Sequence, residues 1–121
     1  HNSNIILIGT LSSNKILKQI IKKLPIQLTN NSLVFNNREF TNMNSGIRMI
    51  YPNQLNDKKY VVIYSGITSK AIEGSIQRFG IGGWYDVMIY DERTSDDKLS
   101  VNTVGFFDNN WKLDSALLYA R

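Results

Sequence analysis

The residues best suited to chemistry sit in two short polar stretches, each where a strand runs into a helix. "GTLSSNK" (residues 9–15) brings Ser12, Ser13 and Asn14 to the start of one apolar helical run. "YSGITSK" (residues 64–70) brings Ser65, Thr68 and Ser69 to the start of another. Small hydroxyls beside the free N–H groups of a helix start can hold an anion or another small polar ligand. Neither stretch has the spacing of a Walker loop or of the G-x-G-x-x-G fingerprint. Helix capping calls for the same residue types, so both readings stand at this point.

Reaction chemistry has fewer openings. Cysteine is absent and the single histidine is His1. That removes thiol nucleophiles, histidine metal clusters and a Ser-His-Asp triad from expectation. Ser65 has no base to activate it, because Lys70 lies on an exposed cap. Two of Asp86, Asp91 and Asp108 can act as an acid–base pair only if the fold converges them, and their separations give no sign of that. The loop with Asp91, Glu92, Asp96 and Asp97 is rich in hard oxygen donors of the kind Ca²⁺ takes. Its spacing fits no metal loop, and a solvated acidic loop explains it. The expectation is a chain with no catalytic residue, no metal site and no cofactor.

The elements that must position these residues are legible in the hydrophobic pattern. "NIILIG" (4–9) is a continuous apolar run, which predicts a strand buried on both faces of a parallel sheet. Ile16, Leu17, Ile20, Ile21 and Leu24 then recur at helical spacing, with Ser12 or Ser13 as cap and Pro25 as stop. Asn30-Asn31 and Asn36-Asn37 mark two tight hairpin turns across 26–40. Strands follow at 45–52 and at "KYVVIYSG", the strongest in the chain. A helix over 68–80 places Ala71, Ile72, Ile76 and Phe79 on one face, capped by Thr68 or Ser69. Gly80, Gly82 and Gly83 loosen the chain before the strand "YDVMIYD". "VNTVGFFD" reads as a last strand, and "NNWKLDSALLYAR" as a turn with a short helical tail.

Alternating strands and helices predict one α/β domain over residues 1–121. The expected form is a three-layer Rossmann- or flavodoxin-like fold with a mostly parallel sheet and two main helices. Its core strands are 5–9, 47–51, 60–65 and 86–90, with the 26–40 hairpins at one edge. Ligands then belong at the loops after the strands, around Ser12–Asn14 and Ser65–Ser69.

With 121 residues, 42% hydrophobic and 20% charged, the chain can bury a real core. No apolar run is long enough for a membrane helix, and "HNSN" has neither the basic nor the apolar region of a signal peptide. The net charge of +4 is uneven. Residues 1–60 hold eight Lys or Arg against two acids, and residues 61–121 hold six against eight. Lys15, Lys18, Lys22 and Lys23 cluster, which suits a solvated helix face or an acidic partner. Interleaved Arg and aromatic residues are missing, so no nucleic-acid partner is expected. Trp84, Tyr85, Tyr90, Phe106, Phe107 and Trp111 are core or interface anchors.

"YPNQLNDKKYVVIYSGIT" and the later "VGFFDNNWKL" (104–113), with "NIILIGTLSSNKIL" and "KLPI" before them, resemble a known family. It is the C-terminal accessory domain of large bacterial prolyl-oligopeptidase-like proteins, which are secreted α/β-hydrolase family members. The likeness runs over residues 4–113 as ordered segments. Gln54 and Asp57 stand where prolines are usual, and residues 68–91 are less similar. The resemblance implies a secreted or cell-envelope setting and catalysis in a separate hydrolase domain, and it carries over no binding residue. It implies a non-catalytic domain that docks on a hydrolase-type domain of the same polypeptide or on a partner protein, supported by any apolar patch near Tyr51, Phe106, Phe107 or Trp111. A small-ligand or glycan-binding module is the alternative.

Overall fold

The computed structural model describes residues 4–53, 58–73, 85–92 and 99–120. In chain order the elements are β1 (Ile5–Ile8), α1 (Lys15–Ile20), β2 (Ile26–Leu28), β3 (Leu33–Phe35), β4 (Arg38–Phe40), β5 (Gly46–Pro52), β6 (Tyr60–Gly66), β7 (Val87–Glu92), β8 (Leu99–Gly105) and β9 (Leu118–Ala120). Short 3₁₀ turns occupy Ile21–Lys23 and Ser115–Leu117, and residues 69–73 are helical.

These strands form a six-stranded sheet in the order β1-β6-β5-β7-β8-β9 and a separate three-stranded sheet, β2-β3-β4. Among the described strands only β1 and β6 run parallel as neighbours, with Leu7 opposite Ile63. β5 lies between β6 and β7 and is antiparallel to both. The expected mostly parallel, three-layer Rossmann-like fold is therefore wrong: the domain is mainly β with a mixed sheet. One reason lies in the connections. Residues 53–59 are too few for the crossover a parallel pair needs, so β5 and β6 close antiparallel. The 26–40 hairpins form a sheet of their own rather than an edge of the large one.

Sheet register sorts the side chains. Leu7, Ile47, Met49, Val61, Ile63, Val87 and Ile89 share one face, and all are at most 4% exposed. Against them pack Leu17 and Ile20 of α1 and Leu33, Phe35 and Phe40 of the small sheet, in one continuous core. On the opposite face Ala71, from the helical residues 69–73, approaches Gly66, its Cβ 3.2 Å from where a side chain there would begin. Gly46, beside Gly66 in register, gives its space to the buried ring of Tyr90. Ile6 and Ile8 remain 53% and 47% exposed. β1 is thus an edge strand buried on one face, against the expectation of two.

Local signals explain most boundaries, with some corrections. Asn14, not Ser12 or Ser13, caps α1: its Oδ1 accepts the Leu17 N–H at 2.9 Å. Asn36 and Asn37 take φ of 51° and 65°, the left-handed pair that a two-residue hairpin needs. The Thr29–Ser32 turn works differently, because Thr29 Oγ1 accepts the N–H of Asn31 and of Ser32. The expected helical tail is a 3₁₀ turn followed by β9, which pairs with β8. The rest of the 68–80 helix, the Gly80–Gly83 loop, Trp84 and Asp96–Asp97 lie outside the described residues.

Candidate docking surface

Tyr51 stands near the end of β5 on the core face. Phe107 follows β8, and Trp111 sits at the tip of the turn that comes next. Asp108 shapes that turn: its Oδ1 accepts the N–H of Asn110 at 2.8 Å and of Lys112 at 2.9 Å. Its main chain bonds both ways, to Lys112 O and from Trp111 N. Trp111 is held at φ 61°, an uncommon conformation for a bulky residue. The Tyr51 hydroxyl clamps it by donating to the Trp111 carbonyl at 3.0 Å. Asp86 Oδ2 accepts the Phe107 N–H at 3.1 Å and fixes the other end.

The rings then interlock edge to face. Tyr51 meets Phe107 at 5.2 Å and Trp111 at 5.8 Å between centroids, and Phe107 meets Phe35 at 6.5 Å. Tyr60, at the start of β6, lies 5.5 Å from Trp111 and is 42% exposed. Phe107 is buried beneath, while Tyr51 and Trp111 are half-buried. Burial, and secondarily the charge of Asp108, raise the pKa of the Tyr51 phenol above its ordinary value. The hydroxyl therefore stays protonated as a donor. Of the four expected docking residues, Tyr51, Phe107 and Trp111 come together. Phe106 sits apart, 38% exposed and 5.6 Å from Tyr85.

The polar loops are brought together as well. β1 and β6 are parallel neighbours, and the Gly9 N–H bonds Tyr64 O at 3.1 Å, so the loops after both strands leave one edge. Their side chains, however, bond locally. Ser13 Oγ accepts from Thr10 N and Oγ1, and Ser12 Oγ pairs with Thr10 Oγ1. Asn14 caps α1. Thr68 Oγ1 donates to Met43 O at 2.8 Å and accepts the Ala71 N–H. Ser69 is exposed. Ser65 is fully buried on the core face, level with Ile47, and its hydroxyl finds no partner among the described residues.

Asp86 and Asp108 spend their carboxylates on backbone N–H groups, and no group of three metal-ligating side chains occurs among the described residues. No helix there is long and apolar enough to cross a membrane, which says nothing of a β-barrel.

Two features escaped the sequence reading. The alternation of the strand marks Tyr60 only as a strand residue, although an aromatic beside the Lys58-Lys59 pair is a visible signal. A groove of about 680 Å³ between α1 and β2 is lined by Leu11, Lys18, Ile21, Lys22 and Leu24, with the β2 edge opposite. Its only trace in sequence was the i, i+4 spacing of Lys18 and Lys22. Comparison with protein-family models, curated proteins and solved structures gives no match to this chain.

Proposed function

We propose that this chain is a non-catalytic docking domain whose Tyr51–Tyr60–Trp111 corner seats a folded domain of hydrolase type in the same polypeptide. One observation carries the reading: an exposed Tyr60 resting at a tilt of 51° against a Trp111 that is itself locked by Tyr51. Tyr and Trp are the residue types that dominate interface energetics. Rings already held in place lose little freedom on binding, so more of the contact energy survives as affinity. The resemblance through "YPNQLNDKKYVVIYSGIT" and "VGFFDNNWKL" supplies the class of partner, and both segments contribute rings to this corner.

A photo-crosslinking amino acid at position 60 of the full natural polypeptide tests this. Crosslinks from 60 should map to one neighbouring domain and fall severalfold when Trp111→Ala is added. Asn31, exposed on the Thr29–Ser32 turn, is the control site. No crosslink from 60, or equal yield from 31, would sink the proposal.

A further inference from the structure

β2 is an edge of the small sheet and, among the described residues, pairs only with β3. The Thr29 N–H bonds Ser32 O at 2.9 Å, which sets the alternation along the strand. Gln27 must point its main chain at β3, and Ile26 and Leu28 must point theirs away, into the groove. None of those outward N–H and C=O groups has a partner among the described residues. Across the groove stand Lys18 and Lys22, one helical turn apart, both exposed and without an acid partner among the described residues. Leu11, Ile21 and Leu24 form an apolar floor between the two walls.

An open strand edge facing a helix across an apolar trough is the geometry in which an extended peptide adds as a new strand. Main-chain bonds to Ile26 and Leu28 would supply register, and alternate side chains would drop onto the floor. Charge selects among occupants. Glu39 is the only acid among described residues 4–53, and it lies on β4, the far strand of the small sheet. A second copy pairing through its own β2 would bring four lysines together, which is unfavourable. We infer that this groove takes an extended peptide with alternating acidic and small apolar residues as a fourth strand on β2, its carboxylates on Lys18 and Lys22. This site uses none of the residues of the aromatic corner, so either stands if the other fails.

The test is a ¹⁵N NMR titration of the folded chain with the peptide Ac-Glu-Val-Glu-Val-Glu-Val-NH₂. Shifts should centre on Ile26, Leu28, Ile21 and Leu11, and the Ile26 and Leu28 amides should gain exchange protection. Doubling the salt should weaken binding. N-methylation of alternate peptide nitrogens should abolish it in one phase of the alternation and spare it in the other. Lys18→Glu with Lys22→Glu, checked as folded by circular dichroism, should weaken the peptide at least tenfold and favour the Lys-Val counterpart. Absence of binding at millimolar peptide, shifts centred elsewhere, or equal binding of the Lys-Val peptide would overturn the inference. So would concentration-dependent self-association that protects the same two amides.

Discussion

Removing one oxygen tests how the aromatic corner is held. In Tyr51→Phe the ring contacts to Phe107 and Trp111 survive, and the bond to the Trp111 carbonyl does not. A single intramolecular hydrogen bond contributes about 0.5–1.5 kcal/mol net. Tyr51 is half-buried, so the orphaned carbonyl regains some water and the middle of that range, about 1 kcal/mol, is expected. At roughly 2.1 cal/mol/K per residue, a chain of this length unfolds with about 250 cal/mol/K, so Tm should fall by about 4 °C. The pH profile adds a second arm. The folded-state pKa of Tyr51 is raised, by burial first and by Asp108 second. Its contribution is therefore complete below the unfolded value of about 10 and declines as pH climbs through the folded value. Phe titrates nowhere, so the gap between wild type and variant should begin to close near pH 10 and go on closing as pH climbs through the raised folded value. Urea melts of both proteins at neutral pH and at two alkaline points measure this. Equal stability at neutral pH, or a gap that stays constant into alkali, would refute the reasoning.

Three further substitutions probe the fold. Leu7→Ala should cost about 2–5 kcal/mol as a core truncation, while Ile6→Lys should stay within about 0.5 kcal/mol. Comparable costs in a urea melt would mean that β1 is covered on both faces after all. Gly46→Ala would place a Cβ 2.6–2.8 Å from ring carbons of the fully buried Tyr90, an overpacking of about 1–3 kcal/mol. That cost should shrink in a Tyr90→Ala background, and strict additivity of the two losses would count against the clash. Asn14→Ala removes the cap of α1 and should lower stability by about 1 kcal/mol, whereas Ser12→Ala should change little. Thermal melts of the pair decide which residue is the cap.

Individual elements could be read from the chain because their signals are local. The Asn36-Asn37 turn, the strand ending at Gly66 and the helix starting near Lys15 each follow from residues within a few positions. The run "IILI" misled, since an apolar edge strand and a doubly buried one look alike along the chain. Only the neighbour count, one for β1, tells them apart. The tail misled for a related reason. "SALLYA" has helical composition, and pairing of Leu118–Ala120 with Thr103–Gly105 overrode it.

At the candidate site, residue type marks Phe107 and Trp111 as aromatic anchors and the resemblance adds Tyr51, while Asp108 and Asp86 read as acids and not as braces for the backbone. Their roles depend on the N–H groups that the turn aims at them. Tyr60 and the β2 edge were missed because exposure of a ring or a main-chain edge is a property of what fails to cover it.

By itself, then, the sequence determined a foldable chain with hairpins, a capped helix, a strong central strand, no cysteine and a single histidine. These rest on side-chain type and short-range periodicity, which act within one element. Tertiary structure decided the strand order, the insertion of β5 between β6 and β7, the single-sided burial of β1, and the meeting of Tyr51 with Trp111 sixty positions away. Such pairings are chosen by competition for burial and backbone hydrogen bonds across the whole chain. No local window contains that competition.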